Sequence, residues 1–518
     1  MPRKNEEKKV LLRVTNLKEY FPLKKQHFRQ EQLYVQANDG ITLDIYEGET
    51  FGLVGESGCG KSTFGRVILQ LYHSTEGRTM YYGETLESFV PEYVKKTVDH
   101  LEKCRLDVRK QEEQVKRLAV GDGAPDADRK KAEAAAKKYR DMMENLLQVI
   151  GGFYTVQDLG PVDEILRSKY AACSEIAKLK GEYNEIRITR DKTAGLLEKG
   201  KKNGPAFERR SAENRERDHK MAQLQEKIDR ETAVMAEWHE KLEKLRASYQ
   251  SDPEFQKYEA YRDEGIDLSR LNYDEMRKMR KEMQLIFQDP YSSLNPRMTV
   301  GQIISEGLLA HGFYKKGDSR IQEYVKKVME DCGLSSYMIY RYPHQFSGGQ
   351  RQRIGIARSL AIKPKFIVCD EAVSALDVSI QSQIINLLKE LKQKENLTYL
   401  FISHDLSVVK YISDRIGVMY LGNLVELADT ETIFSHPLHP YTEALLLAIP
   451  TTDAGQSKKL VTLEGDIPSP IRPPEGCKFH TRCKYCTEIC TKQRPEFREV
   501  EPNHYVACHH LLDHPVDL

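Results

Sequence analysis

Gly55-Glu56-Ser57-Gly58-Cys59-Gly60-Lys61-Ser62-Thr63 is the stretch whose reading decides the fold. Its first eight residues fit G-x-x-x-x-G-K-[ST]. The apolar run Phe51-Gly-Leu-Val54 precedes them, and the helix-like run from Thr63 to Leu71 follows. Strand, glycine-rich turn and helix in that order are the setting of a P-loop. The glycines let backbone N–H groups turn inward on phosphate oxygens, and the start of the helix adds a favourable dipole. Lys61 supplies a point charge for the β- and γ-phosphates, and the Ser62 hydroxyl can ligate Mg²⁺. Cys59 fills a free position of the pattern and has no role of its own.

Working outward, further polar groups stand at the ends of apolar runs. Lys365-Phe-Ile-Val-Cys-Asp370-Glu371 reads as a buried strand ending in two carboxylates. Asp370 suits the Mg²⁺ shell, and Glu371 suits polarising an attacking water. An acidic strand end is ordinary by itself, and its weight comes from its neighbours. Phe346-Ser347-Gly348-Gly349-Gln350 opens a helix-like run, with N–H donors and a hydroxyl turned toward an anion. Leu285-Ile-Phe-Gln288-Asp-Pro ends a strand in a carboxamide able to reach metal or water. Ser374-Ala-Leu-Asp377 follows the acidic strand, and Phe401-Ile-Ser-His404-Asp ends another apolar run.

This ordered set resembles the ATP-binding cassette of ABC proteins. The P-loop lies at 55–62, the Q-loop at Gln288, the signature at 346–350, Walker B at 366–371, the D-loop at 374–377 and the H-loop at His404. The resemblance implies an α/β P-loop NTPase cassette, a RecA-like core plus a helical lobe that carries the signature. It implies an ATPase in which 55–63 bind ATP and Ser62, Gln288 and Asp370 hold Mg²⁺. Glu371 is then the catalytic base, with His404 on the γ-phosphate and Gln288 at the junction of the lobes. Cassettes of this kind pair head to tail, so Ser347, Gly348, Gly349 and Gln350 face the opposing subunit's ATP, with Asp377 nearby. Phe346 stands where the family usually has Leu. Phe21, or Tyr20 beside it, is a candidate ring for stacking on adenine.

The flanks narrow the resemblance. Val54 to Thr63, Ile286 to Met298, His439-Pro-Tyr-Thr-Glu-Ala-Leu-Leu446 and the tail from Leu463 to Cys483 look like the oligopeptide/dipeptide/nickel importer ATPases. The likeness covers about residues 10–85 and 270–510. It implies uptake of peptides or a related solute such as nickel. The implied partners are a second ATPase subunit, a paralogue rather than another copy, two membrane permeases and, indirectly, an extracellular solute-binding protein. The implied place is the cytoplasmic face of the cell membrane.

The likeness does not cover the middle. Composition sets off residues 88–265, rich in Lys, Arg, Glu, Ala and Gln, from cassette segments at 1–87 and 266–436 and a tail at 437–518. Turn residues at Gly121–Pro125, Gly151-Gly152, Gly160-Pro161 and Gly200–Pro205 divide this insertion into long helices. Met221, Leu224, Ile228, Met235, Trp238, Leu242, Leu245 and Tyr249 trace a heptad seam with Glu231 at one skipped position. Shorter seams run through Val94, Val98, Leu101, Val108 and Val115, and through Tyr139, Met143, Leu146 and Ile150. The spacing predicts antiparallel helical hairpins of coiled-coil type, the longest helix about 65 Å long.

In the tail, Cys477, Cys483, Cys490 and Cys508 are spaced for metal ligation, with His480 and Cys486 among them. Importer relatives carry cysteines at those four positions, and the resemblance implies a [4Fe–4S] cluster in a small Cys-rich domain, with zinc as the alternative. The chain has 518 residues, of which 79 Lys+Arg oppose 78 Asp+Glu, so it lacks the basic excess of a non-specific nucleic-acid binder. No apolar run approaches the ~18 residues that span a bilayer, and no signal peptide is visible. The rival reading is a coiled-coil ABC ATPase acting on DNA. In those proteins the Q-loop precedes the coil, whereas Gln288 follows the insertion here, and they lack the Cys-rich tail. No nucleic-acid partner is therefore expected. A ribosome-acting relative would carry two cassettes, and one P-loop is present.

Overall fold

Short, wholly apolar runs build the centre of the larger part of the chain. A computed structural model describes residues 8–25, 32–118, 125–199, 204–449 and 465–512. The turn segments expected at 121–124 and 200–203, and Leu463 and Glu464 of the tail motif, lie outside these residues. The chain divides into two compact units. One takes the residues up to Tyr81, Asp267–Ser269 and Met276 onward, and the other takes Tyr82–Ile266 with Arg270–Glu275.

In the first unit, β1 (Val10–Pro22), β2 (Tyr34–Tyr46) and β4 (Glu76–Tyr81) are antiparallel neighbours with β1 in the middle. The main sheet runs through β3 (Thr50–Val54), β5 (Met283–Ile286), β6 (Phe366–Asp370), β7 (Thr398–Ile402) and β8 (Arg415–Tyr420). These five pair in parallel in the order β8-β3-β7-β6-β5. Every residue of β3, β6 and β7 is buried, which explains why they read as unbroken apolar runs rather than alternating ones. Beyond β8 the sheet continues antiparallel through β9 (Asn423–Asp429), β11 (His504–Val506) and β10 (Arg498–Glu501). The tail therefore contributes strands to the cassette's own sheet. α1 (Lys61–Ile68) leaves the end of β3.

A helical lobe holds α6 (Val300–Ala310), α7 (Arg320–Asp331) and α8 (Gly348–Leu360). Its core includes Ile303, Ile304, Leu308, Val325, Met329, Phe346 and Ile354. Phe346 is buried in this core, so the exchange of Leu for Phe there is a packing matter that leaves Ser347 and Gly348 in place at the helix start.

The second unit is all helix apart from its margins. Its long members are α2 (Leu101–Leu118), α3 (Asp126–Ile150), α4 (Gly160–Lys199) and α5 (Pro205–Ala247). α3 stops at Gly151, whose φ of 52° suits glycine, and Pro205 starts α5 where its missing N–H costs nothing. α4 and α5 lie antiparallel. Ile176 and Leu179 pack on Ile228, Leu224 and Met235, and Arg190 meets Asp218 at 2.9 Å. Nearer the other end, Lys169 Nζ lies 3.0 Å from His239 Nδ1. At the end of α5 a buried Arg246 bonds Glu259 at 2.5 and 2.6 Å and lies over the Phe153 ring.

Candidate active site

The loop after β3 is held open by close backbone packing. Gly55 and Gly60 have φ of 148° and 103°, and a Cβ on either would fall 2.2 Å from the Met419 carbonyl oxygen or 2.0 Å from that of Ala37. No larger residue fits at these two positions. Lys61 is 4% exposed and donates from Nζ to the carbonyls of Gly55 (2.7 Å) and Glu56 (3.0 Å). Its ammonium thus already lies inside the loop. Cys59 is buried beside it, with Sγ 3.8 Å from Lys61 Nζ, and burial pushes its thiol up, so it stays a neutral packing group.

Ser62 Oγ donates to Asp370 Oδ1 at 2.5 Å across 308 residues of sequence. Two oxygens that close fit within one metal coordination shell. Arg66 holds the other oxygen of Asp370 at 3.3 Å. One residue further on, Glu371 has φ of 47°, an uncommon conformation for a non-glycine residue. Its N–H is fixed to Ile402 O at the end of β7, and its Oε2 accepts from Gln288 Nε2 at 2.7 Å. Its Oε1 lies 3.5 Å from His404 Nδ1. Three motifs far apart in sequence therefore meet at one carboxylate.

The signature starts α8. Ser347 is the N-cap, accepting from Gln350 N–H while Gln350 Oε1 accepts from Ser347 N–H at 3.1 Å. Among the described residues neither side chain bonds the chain's own P-loop. A Cβ on Gly349 would fall 2.5 Å from Ile380, so the glycine allows close packing of the next helix. Asp377 caps that helix, α9 (Val378–Glu395), and lies exposed. Phe21, half-buried on β1, meets Tyr72 edge to face at 5.4 Å. Tyr20 is less available for stacking, because its hydroxyl is bonded to Asp39 at 2.5 Å.

Cys477, Cys483, Cys490 and Cys508 line one small pocket with His480 and His510. Burial, then the neighbouring thiols, push Cys477 up to about 11 and Cys508 up to about 12. All described cysteines are free thiols, and Cys486 is exposed. Among the described residues no group of three or more His, Cys, Asp or Glu side chains stands close enough to hold a metal ion as placed. The four thiols thus share a pocket without forming a closed ligand set.

Sequence reasoning passed over several residues that shape this site. Arg482 bonds both carboxylate oxygens of Glu56, Nη1 to Oε2 at 2.7 Å and Nη2 to Oε1 at 3.0 Å. The Tyr441 hydroxyl accepts from the Glu56 N–H at 2.9 Å, and the Asn38 amide donates to Gly60 O at 3.1 Å. Arg482 and Tyr441 both fall in stretches singled out for their resemblance, but nothing local says what they touch.

Comparison with known proteins adds the following. The family description "Oligopeptide/dipeptide transporter, C-terminal region" matches residues 425–490, and "ABC transporter" matches 38–151 and 255–374. The chain is 53% identical over 248 residues to the oligopeptide transport ATP-binding protein AppF of Bacillus subtilis, covering 47% of this chain and 75% of that one. It is 52% identical over 245 residues to a putative peptide import ATP-binding protein of Brucella ovis, covering 47% and 77%. A solved dimeric ATP-binding cassette, MJ0796 bound to ADP and phosphate, aligns with a TM-score of 0.41 at 15% identity over 81% of this chain and 99% of that one.

Proposed function

The chain belongs to the ATP-binding subunits of ABC-type oligopeptide importers, and from that premise we propose how its residues divide the work. It is an ABC ATPase, and ATP hydrolysis coupled to peptide transport is preferred to the DNA-acting alternative. The observation that carries the residue-level reading is the convergence of Gln288 and His404 on Glu371, beside the Ser62–Asp370 pair.

Residues 55–63 bind the triphosphate. Phosphate oxygens are stronger acceptors for an ammonium than the two carbonyls now holding Lys61, so ATP draws that charge onto its β- and γ-phosphates. The N–H groups at the start of α1 face the same anion. Ser62, Asp370 and Gln288 hold Mg²⁺, which offsets phosphate charge when bound. Glu371 takes the proton of the attacking water as its oxygen bonds the γ-phosphorus, and the bond to the ADP oxygen breaks. Gln288 orients the carboxylate from one side, while His404 stands at its other oxygen and contacts the γ-phosphate. Phe21 stacks on adenine.

Ser347, Gly348, Gly349 and Gln350 close on the ATP of an opposing ATPase subunit, with the N-terminus of α8 aimed at the γ-phosphate and Asp377 at the joint. That subunit is a paralogue, and the pair drives two permeases supplied by an extracellular peptide-binding protein. The work takes place at the cytoplasmic face of the membrane. Among the described residues no helix is long and apolar enough to cross it.

Cys477, Cys483, Cys490 and Cys508 would hold a [4Fe–4S] cluster, with zinc as the alternative, because they line one pocket, though the thiols would have to draw closer than they stand here to close a ligand set. Such a group would supply a covalent tie across the tail. The antiparallel packing of α4 on α5 along Ile176, Leu179 and Ile228 supports a coiled-coil arm for the insertion. The test of the site is Glu371→Gln. ATP binding should persist and turnover should vanish, and unchanged hydrolysis would remove Glu371 from the role of base.

A further inference from the structure

Glu56 is an acidic residue inside a loop built to receive a triphosphate. Left alone, its carboxylate would oppose every phosphate that enters. Its immediate surroundings answer this. Arg482 meets it in a two-pronged ion pair, and the Arg482 side chain is 4% exposed against 22% for Glu56. A pair this sheltered is held apart from screening by salt, and removing one member leaves the other uncompensated. The Tyr441 hydroxyl takes the Glu56 N–H, so backbone and side chain of this one loop residue are both tied to segments beyond residue 436.

We propose that Arg482 is a positioning residue of the ATP site, neutralising Glu56 and fixing the first turn of the P-loop, so that the Cys-rich tail is a working part of nucleotide binding. Arg482 sits at the end of the turn His480–Arg482, directly before Cys483. Arg482 N–H bonds Phe479 O at 3.0 Å, and His480 Nδ1 lies 2.8 Å from Cys477 O. Phe479 is buried against the rings of Tyr420 and Tyr441, at 5.2 and 5.3 Å between centroids. The guanidinium is therefore aimed at Glu56 by packed aromatic residues, whatever the thiols bind.

The inference rests on the P-loop reading, and the experiment separates the two. ATP affinity is measured by calorimetry on the full chain, with KM and kcat for hydrolysis alongside. Arg482→Gln should weaken ATP binding about tenfold and raise KM in step, while kcat at saturating ATP stays near that of the parent. Arg482→Lys should lie between. Glu56→Gln should have the opposite sign, tightening ATP about threefold, since it removes the repelling charge from the loop. In the double variant, Glu56→Gln should recover most of the affinity lost in Arg482→Gln. A purely structural pair would give equal signs, because either change breaks the same contact. The proposal is overturned if both single variants weaken ATP alike, or if only the melting temperature moves. Should Arg482→Gln fail to fold, Arg482→Lys against Glu56→Gln supplies the same contrast of sign. Lys61→Ala is the control. If it loses ATP while Arg482→Gln does not, the tail's role alone falls, and if it binds ATP like the parent, the P-loop reading falls and takes this inference with it.

Discussion

The cassette and the inserted helices are specified in different ways. The Glu371 carboxylate meets particular functional groups, a carboxamide from Gln288 and an imidazole from His404, and the strands beneath are buried throughout. In α5, a helix of 43 residues, the buried positions are Asn214, Ile228, Leu242 and Arg246. Most of its surface is charged side chain in solvent, stitched by pairs such as Lys220–Glu216 and Lys244–Glu240 that contribute little individually. One region is encoded by residue identity and the other mainly by spacing. Polar changes should therefore abolish function in the first, while in the second the sensitive positions are the few that are buried.

The largest expected effect tests that contrast at its centre. Glu371→Gln should lower hydrolysis by about 100-fold to 10,000-fold while nucleotide remains bound, as read by phosphate release beside calorimetry. A polar change on the exposed face of α5 that did the same would break the distinction. Next comes the insertion's own exception. Arg246→Ala takes one of two arginines from Glu259, which keeps Arg262 Nε at 2.8 Å, and removes a cation from above Phe153, and should destabilise the second unit by about 3 kcal/mol. Hydrogen exchange of the amides around Phe153 and Phe255 reads this locally. Ile228→Ala, in the packed seam between α4 and α5, should cost about 3 kcal/mol by the same measurement and leave hydrolysis by the cassette unchanged.

How far the sequence revealed these features follows from the same contrast. Each cassette motif is a short contiguous run whose chemistry is local, so 55–63, 346–350, Asp370, Glu371 and His404 could be read directly. Of the eight seam positions expected from Met221 to Tyr249, Ile228 and Leu242 are buried and the other six are half-buried, so the spacing marked the inward face of α5 without establishing a coiled coil. The inward face of its partner α4 was not legible, since Ile176, Leu179 and Tyr183 stand among other apolar residues that blur the period. The Arg482–Glu56 pair was invisible because it joins residues 426 positions apart, and neither run shows which charge it faces. The left-handed backbone at Glu371 also left no trace, being imposed by the hold on its N–H at β7. Chemistry carried within a few residues can be read from sequence, whereas chemistry made by docking two segments cannot.

The smallest effect concerns that docking. Asp39 is 5% exposed and receives the Tyr20 hydroxyl, Lys478 Nζ at 3.0 Å and Arg494 Nη1 at 2.9 Å, the two cations coming from the tail. Burial alone would raise its carboxyl, but Lys478, the Tyr20 bond and Arg494 outweigh it and bring the pKa down from 3.8 to about 2. The unfolded carboxyl takes up a proton first as pH falls. The stabilisation is therefore complete above about pH 4 and is lost on acidification toward about pH 2. At ~1.4 kcal/mol per pKa unit, it amounts to about 2 kcal/mol. Asp39→Asn should lose that amount near neutrality and show a shallower fall in urea midpoint between about pH 5 and about pH 2 than the parent. Equal slopes in the two proteins would mean that the tail is held by its aromatic packing at Phe479 and by Arg482, with the charges around Asp39 contributing nothing net.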